Sequence, residues 1–218
     1  MTILATVFVP EGIVMATDSR WTRSVTRDDG NKEIYTLTDN AQKLVTVRNS
    51  TVGISFCGDA FIDDKTISDF IRIFDISQVN DDDTVESIAY KLHDQLQKYD
   101  DVHPVFKVAG YDNDEPFVFS LAKKHFVRTN KNDSSGRLTC GANWDGDYEE
   151  TNIFLQNIKM DYWHMPLKDA IDYAEFIVEL NIKQQRFSDR LATCGGPIDI
   201  LVITKDYTKF LKHKVLKP

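Results

Sequence analysis

Thr2 is the first residue on which chemistry could turn. Once an initiator Met1 is trimmed, which a small second side chain permits, a terminal threonine carries its own base. The α-amine has an ordinary pKa of about 7.7–8.0, close to working pH, and can take the hydroxyl proton directly. This is the threonine counterpart of a serine–histidine pair. Position alone favours an ordinary edge-strand residue. Asp18 follows an apolar run directly, in Thr17-Asp18-Ser19-Arg20. A carboxylate at the end of a buried strand needs a cation or several donors. Arg20 and Lys43 are the candidate partners; the plain alternatives are a turn-forming Asp and a solvated lysine at a strand start. His93, His103, His125, His164 and His213 are scattered, and Cys57, Cys140 and Cys194, each followed by glycine, form no Cys-x-x-Cys pair. Neither pattern has metal-ligand spacing, so no metal and no cofactor is expected. Gly58 and Gly195-Gly196 lack the Lys-Ser/Thr context of a phosphate loop. Asp81-Asp82-Asp83 reads as a solvated loop and helix start, and Trp144, Tyr162 and Trp163 as core or interface.

These residues must be positioned by elements that the hydrophobic pattern predicts. Ile3 to Val9 and Ile13 to Ala16 flank Pro10-Glu11-Gly12 and read as a hairpin, as do Leu44–Val47 and Val52–Phe56 around Asn49-Ser50. The polar stretch from Ser24 to Asn40 between them is expected as an exposed excursion. Ile67, Phe70, Ile71 and Phe74, then Ile88, Ala89, Leu92 and Leu96, have the spacing of helical apolar stripes. Asp83 and Glu86 would form a capping box for the second helix. Val105–Ala109 and Phe117–Phe119 return to strand across Asp112-Asn113-Asp114, with further short strands at Phe126-Val127 and Leu138. Helices are expected around residues 148–160 and 167–185, and a closing strand pair at 198–204 and 210–215. Hairpins rather than β-α-β alternation imply antiparallel sheets with helices on their faces, an α+β fold. Without repeat or linker, residues 1–218 read as one domain.

Composition narrows the class. The chain has 218 residues, 26 Lys+Arg against 34 Asp+Glu, a net charge of -8, and 3 Trp, 8 Tyr and 13 Phe. A chain of this size buries roughly 70% of its unfolded surface, and its aromatic content excludes intrinsic disorder. The acidic balance without a basic cluster argues against a nucleic-acid partner. The longest apolar run falls far short of the ~20 residues that cross a bilayer, and the N-terminus lacks the basic flank and cleavage site of a secretory signal. An odd number of cysteines then points to a reducing, cytoplasmic setting.

Together these residues resemble a known family. Thr2-Ile3-Leu4, the run Gly12–Thr17 and the motif Asp18-Ser19-Arg20-Trp21-Thr22 are similar to the N-terminus of a mature proteasome β-subunit. There a terminal threonine precedes a strand pair ending in Asp-Ser-Arg-x-Thr. Lys43 stands at the head of the next strand, where the family places its catalytic lysine, after a longer intervening loop. Val52–Phe61, Val108–Asp112 with Pro116-Phe117, and Cys194-Gly195-Gly196-Pro197-Ile198-Asp199 resemble later family segments in order. The likeness is nearest to the bacterial HslV-type and Anbu groups. It implies the four-layer αββα sandwich of N-terminal nucleophile (Ntn) hydrolases.

The resemblance also implies roles. Thr2 would attack a peptide carbonyl while its amine shuttles the proton, and Lys43, paired with Asp18, would lower the pKa of that amine. Backbone N–H groups at Cys57-Gly58 would face the oxyanion, where a donor is worth about 2.7–4 kcal/mol in known cases. Cys140, before Gly141, would take the place of the serine that supports the terminal amine. Ser19, Arg20 and Thr22 would meet substrate, Thr22 by adding it as a strand. Partners would be a peptide or unfolded protein, copies of the chain in a ring or stacked assembly, and a separate ATPase unfoldase; no membrane partner is expected. Departures are Cys57 in place of a glycine, Cys140 for serine, and Leu191-Ala192-Thr193-Cys194 for an Asp-x-x-Ser run, with Asp189 out of register. The alternatives are an inactive ring subunit of the same fold and a small-molecule amidase.

Overall fold

The computed structural model describes residues 2–189 and 191–215, with only the backbone of Lys32 and Glu150; Met1 lies outside the described residues. Ile3–Val9 (β1) and Gly12–Thr17 (β2) form the first hairpin. The stretch expected as an exposed excursion is exposed and takes the form of a ribbon of Trp21–Thr26 (β3) and Lys32–Thr38 (β4). Its side chains are mostly exposed, so neither face carries the alternation that marks a half-buried strand. Leu44–Val47 (β5) and Val52–Cys57 (β6) pair as expected, and the short pair Phe61–Ile62 (β7) and Lys65–Thr66 (β8) precedes two helices.

Those helices are Ile67–Gln78 (α1) and Val85–Leu96 (α2). The expected Asp83–Glu86 capping box is corrected: Thr84 is the N-cap of α2 and its side chain accepts from Ser87 N at 3.1 Å. Asp83 accepts instead from Asn80 N and Ser87 Oγ and pairs with Lys91 at 2.5 Å. Val105–Asp112 (β9) and Glu115–Ala122 (β10) turn at Asn113-Asp114, both with positive φ, and His125–Arg128 (β11) follows. Leu138 makes a single bridge to Lys131 rather than a strand. Gly141–Gly146 (β12) carries no alternating pattern and was not anticipated. The helix expected over 148–160 is the shorter Glu149–Leu155 (α3). Leu167–Phe187 (α4), Asp199–Ile203 (β13) and Thr208–Lys212 (β14) complete the fold.

Two five-stranded antiparallel sheets result, ordered β12-β1-β2-β13-β14 and β11-β10-β9-β6-β5. Alternation along each strand assigns the faces. Ile3, Ala5 and Val7 of β1 join Val14 and Ala16 against Ala170, Ala174, Ile177 and Val178 of α4. Ile54 and Phe56 of β6 join Phe106 and Val108 of β9 against α1 and α2. Phe8, Ile13, Met15, Ala109, Val118 and Leu201 fill the space between the sheets. The protein is therefore an α+β sandwich with helices packed outside two facing sheets. Among the described residues no helix is long and apolar enough to cross a membrane.

Candidate active site

One end of the inter-sheet layer is polar. Leu4, Thr6 and Phe8 of β1 point towards the other sheet, and Thr2, which is 5% exposed, continues their phase. Asp18 leaves β2 beside it. Its Oδ1 accepts from Ile3 N (3.1 Å) and Lys43 Nζ (2.8 Å), and its Oδ2 accepts from Arg20 N (3.1 Å) and Gly195 N (3.0 Å). Both side chains of the Asp18–Lys43 pair are buried, at 0% and 1% exposure. Lys43 also donates to Arg20 O at 2.5 Å. A buried ion pair persists only when further hydrogen bonds satisfy its remaining atoms, and here three backbone N–H groups and a carbonyl do so. The solvated-lysine alternative for Lys43 does not describe this environment.

The turn after β12 closes the site from the other side. Ile3 pairs with Gly146, and Asp147 N donates to Thr2 O at 2.7 Å. Gly146 has φ 106°, and a Cβ there would lie 1.8 Å from Thr2 O, so only glycine fits. Asp147 Oδ2 accepts from Gln185 Nε2 (2.9 Å) and Thr193 Oγ1 (2.7 Å), and Asn181 Nδ2 donates to Asp147 O. Gln185 Oε1 in turn accepts from Thr193 N and Cys194 N. Helix α4 thus steadies the segment that holds Thr2. Asp145, Asp147 and Gln185 carry no signal in the sequence, and Thr193 stands there only as part of a departure from the family's Asp-x-x-Ser run; the pairing of β12 with β1 brings in the two acids, and Asp147 draws in Gln185 and Thr193.

Not every expected residue reaches this corner. Gly141 pairs with Phe8, at the opposite end of β1 from Thr2. Six residues of strand at ~3.3 Å each put Cys140 and Gly141 roughly 20 Å away, so the support position assigned to them falls to residues 145–147. Burial raises the Cys140 thiol above its ordinary value there. Ser19 and Arg20 were expected to meet substrate, but their side chains serve the scaffold. Ser19 Oγ donates to Pro197 O at 2.7 Å. Arg20 forks onto Asp39 at 2.6 and 3.0 Å and donates to Ala192 O. The hydrogen bond from Arg20 holds the Asp39 carboxyl below its usual range. Arg20 is therefore not the side-chain partner of Asp18. Asp189 is exposed and takes no part.

Cys57 and Cys194 do border the site. Burial pushes the Cys57 thiol up to about 12, with Asp145 adding to the effect and Lys107 and Lys43 opposing it. Burial also raises Cys194, with Asp18 next in effect. Gly58 follows at φ 94°, its Cα turned to the His103 carbonyl. Thr22 lines a groove of about 500 Å³ with Trp21, Arg23, Leu37, Ala60 and Phe61. Trp144 and Tyr162 pack against the α4 core, whereas Trp163 is exposed. Among the described residues no group of three His, Cys, Asp or Glu is placed to hold a metal. A hydroxyl at a strand start, a desolvated lysine and a carboxylate held by fixed donors can together support nucleophilic attack and proton transfer. No protein-family model matches the sequence, and none of the curated proteins is detectably similar to it.

Proposed function

We propose that the chain is a threonine-type Ntn hydrolase resembling proteasome β-subunits, acting on peptide bonds. The observation that carries this reading is the desolvated Asp18–Lys43 pair, whose carboxylate also accepts from Ile3 N, the amide next to Thr2. With Met1 removed, Thr2 Oγ1 attacks the carbonyl and its hydroxyl proton passes to the α-amine. The amine returns the proton to the leaving nitrogen, the C–N bond breaks, and an ester remains on Thr2. Water then attacks the ester, the amine again taking the proton, and releases the acid. The positive charge of Lys43 favours the free-base form of the amine. Backbone N–H groups at Cys57-Gly58 face the developing oxyanion, and the groove beside Thr22 takes the peptide in extended form. Assembly into a closed ring or stack, fed by a separate ATPase unfoldase, belongs to the same reading.

One observation favours an inactive ring subunit instead: Cys140, which the resemblance puts in place of the supporting serine, lies at the far end of β1 from Thr2, and the Gly146 that closes on Thr2 is flanked by two acids, Asp145 and Asp147. Intact mass and covalent labelling distinguish the two. Protein lacking Met1 is expected to gain one equivalent of a peptide epoxyketone or vinyl sulfone, with no gain in Thr2→Ala. Processed protein that stays unlabelled overturns the catalytic reading, and hydrolysis of small amides but not peptides would move it to an amidase. Native mass spectrometry of the same sample reads the assembly, and a monomer would count against a compartment.

A further inference from the structure

A second ion pair, with a buried lysine and a partly buried carboxylate, lies in the same inter-sheet layer, and the reaction described above does not use it. Lys107 of β9 pairs with Asp145 of β12, and its side chain is 4% exposed against 30% for Asp145. Lys107 also donates to Ser120 Oγ at 2.8 Å. The pair therefore crosses from one sheet to the other, as Asp18–Lys43 does. Its position along the strands is specific. Asp145 pairs with Leu4, the residue two after Thr2, and immediately precedes Gly146 and Asp147, which close on the Thr2 carbonyl. Lys107 pairs with Ser55, two residues from Cys57 on the same face, and the charges of Lys107, Asp145, Lys43 and Asp18 all act on the Cys57 thiol.

We infer that Lys107 and Asp145 form a positioning pair for Thr2: Lys107 anchors the 145–147 turn across the sandwich and neutralises the one partly exposed carboxylate beside the nucleophile. Neither residue touches the reacting atoms. An anion left bare at Asp145 would oppose Lys43 by holding the Thr2 amine in its protonated form, and a bare cation at Lys107 would do the reverse. Among the described residues, the charged and titratable groups around this corner are Asp18 after β2, the Arg20–Asp39 pair beside it, Lys43 before β5, Cys57 on β6, Lys107 on β9, Asp145 and Asp147 around Gly146, and Cys194 before β13. Of these, Lys107 and Asp145 can be altered without breaking a hydrogen bond to Asp18 or Thr2.

The inference rests on Thr2 being the terminal residue in the proposed function, so its readout does not depend on turnover. The test uses protein that begins at Thr2, verified by intact mass and labelled with ¹³C-threonine, the Thr2 signal being assigned by its loss in Thr2→Ser. Titration of that signal reports the amine directly. Lys107→Met is expected to move the midpoint up by about one pH unit and Asp145→Asn to move it down, with the double variant returning near the wild-type value. Lys107→Arg, which keeps the charge, should leave it in place. An unchanged midpoint in Asp145→Asn, or shifts of the same sign in Lys107→Met and Asp145→Asn, overturns the inference. Should Lys107→Met fail to fold, Asp145→Asn and Lys107→Arg still decide it. The pH profile of hydrolysis on the same samples separates the two ideas. Midpoints that move in protein without Thr2-dependent turnover uphold the pair and sink the proposed function; turnover with immobile midpoints does the opposite.

Discussion

At the residue scale, the site consists of few groups in unlike environments. Asp18 was legible inside the motif Asp18-Ser19-Arg20-Trp21-Thr22 at a strand end, and Lys43 through the resemblance, which places a lysine at the head of the next strand after a longer loop. Lys107 was not, since a lysine between Phe106 and Val108 looks like the outward-facing member of an alternating strand. Its position between two apolar neighbours in a strand that proves central was the available signal, as a charge there needs a partner across the sandwich. The cysteines illustrate the same point, being alike in sequence and different in place. Cys57 and Cys194 are 4% and 1% exposed, whereas Cys140 is half-buried. With its thiol pushed up to about 12, Cys57 is thiolate in only about one molecule in ten thousand at pH 8. Native protein treated with iodoacetamide at pH 8 is therefore expected to be alkylated at Cys140 at least about tenfold faster than at Cys57 or Cys194. Peptide mapping by mass spectrometry reads the order, and equal rates would contradict the burial of the two site cysteines.

At the element scale, strongly periodic segments were legible and weakly patterned ones were not. The β1–β2 and β5–β6 hairpins and the stripes of α1, α2 and α4 each bury one face, which imposes its period on the sequence. The β3–β4 ribbon buries neither face, and β12, Gly141-Ala142-Asn143-Trp144-Asp145-Gly146, is made mostly of residues that seldom form strands, so nothing local announces either. Capping shows a smaller shift of the same origin. Thr84 rather than Asp83 caps α2, and Asp83 is drawn into contacts with Lys91, Ser87 and Asn80. Partial burial opposes ionisation of Asp83, but those hydrogen bonds outweigh it and lower its pKa to about 2. Because the folded value lies below the ordinary 3.8, the stabilisation is complete above about pH 4 and is lost as pH falls towards 2. Asp83→Asn is expected to cost about 1 kcal/mol at pH 7, after screening by solvent, and almost nothing near pH 2. Urea midpoints across that range check it, and a cost independent of pH would exclude the charge as its source.

At the scale of the whole molecule, the packing of two sheets face to face decides which polar side chains become interior. One rung of the first sheet runs Asp145, Leu4, Thr17, Asp199. Its two acids are matched by Lys107 and Lys214. Between them Thr17 is fully buried, and its Oγ1 has no hydrogen-bond partner among the described residues. Such a hydroxyl costs about 1–3 kcal/mol, and removing it without changing shape recovers part of that. Thr17→Val is expected to raise the thermal midpoint by about 2–4 °C, corresponding to about 1 kcal/mol in a chain of this length. Differential scanning calorimetry checks this, and a fall of similar size would show that the hydroxyl is satisfied in solution.

The amino-acid sequence by itself determined the order of the strongly periodic strands and helices and the α+β class, and it narrowed the partner of a buried Asp18 to a basic residue, Arg20 or Lys43, because local periodicity and the cost of a lone buried charge act within short stretches of chain. Only the tertiary structure decided which basic residue that is. Lys43 reaches Asp18 across the gap between sheets, while Arg20, two residues away in sequence, is held by Asp39. It also placed the segment 145–147, rather than Cys140, beside Thr2, since the register of β12 on β1 sets which of its ends meets Thr2. Register is a property of two strands together, and no single segment carries it.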